Sequence, residues 1–361
     1  MSKHRSPRRR HAGRQHVPRR RVVAVAGSAL LLSGAAVVTA PASSAAGPAA
    51  DITWSQFIDR DFSSARIVVA GPDGRGLREV SSPASGVVDL DPAWSPDRRT
   101  IAFERDLPDR SELVTVGADG SDEHVVDVGC SAPCDFVLTP TWSPDGSRLV
   151  FTLVYGPYDD QSGDATSAVL WSAQTDGSDL QRLSPPGIDP RYEDYRARYS
   201  SDGSYLVFLR VDNATRESAV FRMEADGSGV RQLTPWDLRA DTQDLSQATS
   251  GPTKDLVVFE SYGHGGPPPG AVEDIMTVPA TCPTVSECTE QIRNVTRNGD
   301  GPKGSNNPVW SADGSRVAFS EYVHPAKANA VRFADVLTMN PDGGARRRVS
   351  HSPTWDFRPD W

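Results

Sequence analysis

One phrase returns so often that it limits the folds open to this chain. TPTWSPDGSRLVF spans residues 139–151, and close copies begin at Asp91 (DPAWSPDRRTIAF), Ala197 (ARYSSDGSYLVF) and Asn307 (NPVWSADGSRVAF), while RPDW ends the chain at Trp361. About half a period after each copy comes a second phrase: LVTVGADGSDEHVV, VLWSAQTDGSDLQRLS, AVFRMEADGSGVRQLT and VLTMNPDGGARRRVS. Equivalent aromatics are 48 residues apart from Trp94 to Trp142, 57 from Trp142 to Tyr199 and 51 from Trp310 to Trp361. Periods of this length built from paired short strands point to a repeat array whose units bury their faces against one another.

Each unit reads as a four-stranded meander. A short strand ends at the aromatic, and Ser-Pro-Asp-Gly places Pro and Gly where a type I turn prefers them. An apolar run such as RLVF then returns antiparallel. A loop of variable length leads to a third strand, and an Asp-Gly turn leads to the fourth. The runs TIAF, RLVF, YLVF, LVVF and RVAF are apolar almost throughout, as strands covered on both faces must be. Second strands are expected near 52–57, 100–105, 148–154, 205–210, 256–261 and 316–321. The first lacks a strand before it and RPDW lacks a unit after it, so residues 357–361 complete the first sheet. The expected fold is all-β: a six-bladed propeller of four-stranded antiparallel blades over residues 51–361, its ring closed by C-terminal strand pairing into the first blade.

These motifs resemble the propeller repeat of the TolB type, D-x-x-P-x-W-S-P-D-G-x-x-I-A-F with a later D-G-x-x-x-x-x-L-T. The resemblance covers essentially all of residues 51–361. Four units match well, and the fifth keeps LVVFE but has SQATSGPTKD in place of the tryptophan turn. Such propellers include envelope scaffolds, peptidase accessory domains and sugar-processing enzymes, so the resemblance implies a fold and leaves the function open. TolB proteins also carry an α/β domain ahead of the propeller, and nothing corresponds to it here between the leader and the first strand. The resemblance therefore does not imply the Tol-Pal role.

Residues 1–42 are a different material. An arginine-crowded start precedes VVAVAGSALLLSGAAVVTA and the small-residue site at Ala40-Pro41-Ala42, the order of an export signal, with residues 43–50 as a short linker. A retained anchor is the competing reading, and Arg19-Arg20-Arg21-Val22-Val23 resembles a twin-arginine signal. The leader holds nine of the 38 Lys and Arg residues and no acid, leaving 29 basic against 47 acidic residues, a net charge of −18. That charge repels phosphate backbones, which argues against nucleic acid as a partner. The expectation is a secreted or envelope-associated monomer with no membrane insertion after cleavage. Cys130 with Cys134 and Cys282 with Cys288 form two close pairs, read as loop-pinning disulfides, with thiolate metal ligation as the alternative.

In such a meander the first-to-second and third-to-fourth turns share one rim, and the other two connections share the opposite rim. Short SPDG and ADGS turns fill the first rim. Long loops fall on the second, which is taken as the binding face for a protein, peptide or envelope polymer. Tyr155, Tyr158, Tyr192, Tyr195, Tyr262 and Tyr322, with His264 and His324, are the candidate ligand-binding residues there. Asp89, Asp194, Asp244 and Asp356 are each placed five residues before an aromatic site, Thr249 standing in for the aromatic after Asp244, and are read as a ring of carboxylates at the channel mouth. They would either attract a cation or cap their own loops. His264, His324 and His351 could together hold zinc or manganese, but no cofactor or metal is expected. No G-x-S-x-G elbow occurs, and pairs such as Glu260 with Glu321 do not define a glycosidase. The chain reads as an exported, non-catalytic binding propeller, with a carbohydrate-active lyase or hydrolase at the same channel mouth as the alternative.

Overall fold

The computed structural model describes residues 51–131, 134–156, 167–184, 191–262, 273–299, 303–323 and 333–361. The leader at 1–42 and the linker lie outside the described residues. The first meander comprises β1 (Ile52–Phe57), β2 (Ala65–Ala70) and β3 (Arg78–Glu79), and the next β4 (Val88–Trp94), β5 (Thr100–Leu107), β6 (Arg110–Gly117) and β7 (His124–Val126). There follow β8 (Cys134–Trp142), β9 (Arg148–Tyr155), β10 (Ser167–Gln174) and β11 (Gln181–Arg182), then β12 (Tyr192–Tyr199), β13 (Tyr205–Asp212), β14 (Glu217–Glu224) and β15 (Arg231–Gln232). Next come β16 (Ala240–Leu245), β17 (Leu256–Ser261), β18 (Asp274–Pro279) and β19 (Arg293–Asn294), and then β20 (Lys303–Trp310), β21 (Val317–Val323), β22 (Ala334–Met339) and β23 (Arg347–Arg348). The last strand is β24 (Asp356–Asp360). The last four of the six meanders are separate antiparallel sheets. The first two are joined through a single parallel bridge, Ala65 with Val88.

The SPDG turn is built by its own side chains. In each full copy the Ser hydroxyl donates to the Asp carboxylate, at 2.7 Å for Ser95 with Asp97 and 2.6 Å for Ser143 with Asp145. That Ser oxygen also accepts the N–H of the first residue of the returning strand, Thr100 or Arg148, at 3.0 Å. Hydrogen bonds from Ser143 and from the Ser147 N–H and hydroxyl hold the Asp145 carboxyl down at about 2, and the same arrangement does so for Asp202. The returning strand places its aromatic deepest: Trp54, Phe103, Phe151, Phe208, Phe259 and Phe319 occupy equivalent places and are fully buried. Both faces of these strands are covered, so each sheet depends on its neighbours.

The first and last described strands share one sheet. β24 pairs antiparallel with β1, Ser55 facing Phe357 and Gln56 facing Asp356. The buried Asp356 carboxylate accepts from the Trp54 indole at 3.0 Å and from the Gln56 amide at 2.9 Å. Trp361 packs in the same apolar cluster as Trp54. Two elements differ from the strand reading. The connection from β18 to β19 contains a helix, α1 (Val285–Gln291), capped by Thr284 and pinned by the Cys282–Cys288 disulfide, and a 3-10 turn spans Trp236–Leu238. Cys130 and Cys134 are bonded as well.

Glycines of the Asp-Gly turns report how sheets meet. A Cβ on Gly177, Gly227 or Gly343 would lie 2.1, 2.2 or 2.3 Å from the carbonyl oxygen of Asp127, Leu183 or Val295, at the end of the preceding sheet. Gly74 in the first meander meets the Val349 oxygen of the last sheet in the same way, at 2.3 Å. All four glycines have positive φ. Gly74→Ala should therefore destabilise the fold as much as Gly227→Ala, by about 2 kcal/mol or more. Gly76→Ala, at a glycine with nothing in the way, should show only the smaller backbone effect. Thermal unfolding of the three variants measures this, and a Gly74→Ala protein no less stable than Gly76→Ala would mean that the first and last sheets do not press together.

Candidate functional site

Six strands contribute to one cavity. β4, β8, β12, β16, β20 and β24 each carry a bulge three residues before their aromatic position. The bulge residues are Asp91, Thr139, Arg196, Thr242, Asn307 and Arg358, all non-glycine and all with positive φ between 29° and 56°. All six line the same small cavity of about 30 Å³, room for about one water. Left-handed backbone at such positions costs on the order of 1–3 kcal/mol each and concentrates at ligand clamps and other special sites. Four of them precede a proline (Pro92, Pro140, Pro308, Pro359), which lacks an N–H and suits an edge strand or a bulge.

Charge closes the cavity. Asp91 lies 3.1 Å from Arg196, whose sheet is two further along the chain, and 2.5 Å from Arg358 of β24. Burial by itself would raise the Asp91 carboxyl, but Arg358 and Arg196 outweigh it and hold it below its ordinary value. Buried acids satisfy the bulges of the following sheet. Glu104 accepts the Thr139 N–H at 3.1 Å, and Glu260 accepts the Asn307 N–H at 3.2 Å and the Thr242 hydroxyl at 2.7 Å. Burial, with Asp241 and Glu273 nearby, pushes Glu260 up to about 8, and burial with Asp106 and Asp91 raises Glu104. The sequence pattern had marked neither the bulges nor these acids as special, Glu260 apart, whose supposed partner Glu321 is occupied by Lys303 at 2.7 Å and Arg346 at 3.2 Å.

The four proposed channel-mouth carboxylates do not form one ring. Asp89 and Asp194 sit at or near the long-loop ends of their strands, each gripped by two nitrogens of the guanidinium opposite, Arg105 at 2.7 and 2.9 Å and Arg210 at 2.6 and 2.8 Å. Asp356 lies beneath Trp54 and Gln56 as described. Asp244 is elsewhere. Leu245, paired with Val257, takes the aromatic's place in its sheet, so Asp244 is one residue before that position and not five, and it stands at the opposite mouth. None of the four caps its own loop as its principal bond. The missing aromatic in SQATSGPTKD shifted the alignment by four residues.

On the long-loop rim the tyrosines are dispersed and engaged. Tyr192 stacks near Trp236 with Arg191 and Arg210 over its ring, and the Tyr195 hydroxyl donates to Glu193 at 2.7 Å. Glu260, then burial, raises the Tyr262 phenol, and burial raises that of Tyr155. Tyr158, His264 and His324 lie outside the described residues. His351 is exposed between β23 and β24, and among the described residues no group of three His, Cys, Asp or Glu could hold a metal. What does gather here is a chain of rings at the seam of the first and last sheets. Phe357 stacks on Phe57 at 5.1 Å, Phe62 meets Phe57 edge-on at 4.9 Å and Trp355 at 5.6 Å, and Tyr322 stacks on Trp355 at 6.0 Å. Phe62 is 46% exposed in a left-handed conformation, φ 59°, held by Asp59 through the Ser63 N–H and hydroxyl. Ile58, Val323 and Phe333 are exposed on the same rim.

The tight-turn rim holds an opening wider than that cavity, a funnel of about 300 Å³. Its wall is the repeated aromatic itself: Trp94, Trp142, Tyr199, Trp310 and Trp361. Asp360 accepts the Trp94 N–H and Asp244 the Trp310 N–H, both at 2.7 Å, so carboxylates tie neighbouring sheets at the funnel. Burial, against Arg198 and the Trp310 N–H, pushes Asp244 up to about 6.

No family model and no curated protein sequence matches the chain, whereas solved structures do. TolB from Acinetobacter baumannii gives a TM-score of 0.60 at 17% identity, covering 86% of this chain and 66% of that one, just under two thirds. A putative TolB from Agrobacterium tumefaciens gives 0.56 at 17% identity over 85% and 95%. Oligogalacturonate lyase from Vibrio parahaemolyticus gives 0.51 at 13% identity over 85% and 81%. Likeness at such identities is one of fold, and the chain has a TolB-like β-propeller fold.

Raised carboxyl pKa values favour the protonated folded protein. Stability from Glu260 is therefore full below about 4.5 and falls as pH rises through about 8. Glu260→Gln keeps an oxygen for Thr242 and Asn307. The variant should melt several degrees above the parent at pH 9 and within about 2 °C of it at pH 5. Melting curves across this range check the sign; a parent that gains on the variant as pH rises would contradict it.

Proposed function

We propose that the protein is an exported, non-catalytic, six-bladed propeller that binds a protein or peptide across its long-loop rim. Six blades follow from dividing the eight-stranded sheet at its one parallel bridge. Closure is supported by β24 completing the first blade, by the Arg358–Asp91 pair, and by Gly74 meeting Val349 as other blades meet their predecessors. Two disulfides favour an oxidising compartment, in line with the export leader.

The observation that carries the binding reading is Phe62. A bulky residue with positive φ is uncommon and strained, and exposing nearly half its surface adds to the cost. The four other rings of the chain, Phe57, Phe357, Trp355 and Tyr322, supply a rigid platform of the kind that anchors protein interfaces. The channel under this rim is filled by Asp91, Arg196 and Arg358, so a partner rests on the rim and does not thread the disc.

The test is capture from envelope extract by the immobilised, folded domain. Wild type should enrich a defined protein. Ile58→Ser combined with Phe62→Ser should recover at least about tenfold less of it, a loss of roughly 1.4 kcal/mol, with melting unchanged within about 2 °C. Equal recovery by the double variant would remove this patch from the binding face.

A further inference from the structure

We propose that a groove on the tight-turn rim, between the second and third meanders, receives an arginine side chain of a partner protein. It lies on the opposite rim from Phe62, so it stands or falls independently of the reading above. The groove measures about 410 Å³, within the range of ligand pockets, roughly 300–1,000 Å³. Thr100, Thr115 and His124 of the second meander line it, together with Trp142, Gly146 and Thr175 of the third. Asp97 and Asp145, each from a Ser-Pro-Asp turn, border it as well, and among the described residues no lysine or arginine does.

The other meanders show what this place takes. Thr100 follows its turn serine by five residues, and its equivalents are Arg148 and Arg316; the backbone N–H of each of the three donates to that serine, at 3.0 Å. Both arginines lie back across their own sheets. Arg148 donates to the Ser172 hydroxyl at 3.1 Å and the Asp179 carbonyl at 2.7 Å, and Arg316 to the Thr338 hydroxyl at 3.0 Å and the Ala345 carbonyl at 3.1 Å. In the first meander Asp51 holds this place with Arg78 at 3.1 Å, and in the fourth Tyr205 holds it with Arg222 over its ring at 3.6 Å. A guanidinium therefore fills or covers the place in four meanders, and Leu256 fills it in the fifth. The second meander has only threonine there. His124 meets the two partners that an arginine would have, Nδ1 donating to the Asp122 carbonyl and Nε2 accepting from the Thr115 hydroxyl, both at 3.0 Å. The space outside that shorter ring is the groove.

Charge selects the same group. The Ser95 hydroxyl, with the Arg99 N–H and its charge, holds the Asp97 carboxyl below its ordinary value, and Ser143 and Ser147 hold Asp145 at about 2. Both carboxylates are therefore ionised at neutral pH. In each, Oδ1 takes the hydrogen bonds of the turn, and among the described residues none reaches Oδ2. An anion is repelled here, and the acidic body as a whole draws a basic partner toward it. A metal ion finds no group of three His, Cys, Asp or Glu among the described residues. A guanidinium carries five donors in one plane and can engage a carboxylate from each turn, with the half-buried Trp142 offering ring surface of the kind that attracts cations.

Titration with N-acetyl-argininamide in about 0.15 M salt, followed by NMR at the Gly146 amide and the His124 ring, tests this, with N-acetyl-citrullinamide as the uncharged isostere. Saturable shifts with millimolar affinity for the arginine compound, and binding of the citrulline compound at least about tenfold weaker, are expected. Thr100→Arg supplies from within the group that Arg148 supplies in its own sheet. It should abolish the shifts in a folded protein that melts within about 2 °C of the parent or above it. Asp97→Asn, which keeps an oxygen for Ser95 and Arg99, should weaken binding at least about threefold. No saturable shift up to about 50 mM, equal binding of the two compounds, or shifts indifferent to both substitutions would each overturn the site.

Discussion

Every described sheet is buried on both sides, and that single condition governs the rest. A meander whose second strand reads RLVF or YLVF cannot stand in water with either face bare. Neighbours must cover it, and the first and last sheets face the same demand with no sequential neighbour on one side. Borrowing β24 for the first sheet answers both needs at once. The bond from Trp54 to Asp356 then spans 302 positions of sequence and joins the chain's two ends inside the core. Long-range pairing of this kind forms late and is lost cooperatively, which makes the seam the part of the fold most dependent on all the others.

Much of this could be read from residue types because the turn chemistry is local. Ser, Asp and Gly in SPDG each meet a demand within five residues, so the phrase fixes a turn wherever it occurs, and the apolar run behind it fixes the strand. Four of the six second strands were legible for this reason, and the first and fifth without it. The innermost bulges were not. A left-handed Asp91, Thr139 or Arg196 shares no side-chain type with its equivalents, and only the prolines after four of the six hint at an irregular edge. Nor was the Asp91–Arg196 pair visible, since its partners are 105 residues apart and meet only because distant strands line one cavity. The fifth unit shows the limit of alignment by aromatics: with Leu245 in the tryptophan's place, Asp244 was assigned to the wrong mouth.

The two faces are built from unlike materials. On the long-loop side, carboxylates and guanidiniums are paired strand to strand, as Asp89 with Arg105 and Asp194 with Arg210, and the strained Phe62 is exposed on the same rim. On the tight-turn side, the repeat's own tryptophans form the surface, and acids there tie backbone to backbone between sheets.

The Arg98 side chain has a practical consequence. It donates to the Asp51 carbonyl beside Trp94, and Trp361 forms part of the same wall, so the polypeptide enters and leaves the propeller body at one mouth. Affinity handles, fluorophores or surface attachment points fused to Trp361 would therefore crowd the tryptophans and leave the loop-bearing face open to solution. Probing the aromatic side calls for a label placed in a surface turn instead, with Trp361 left bare.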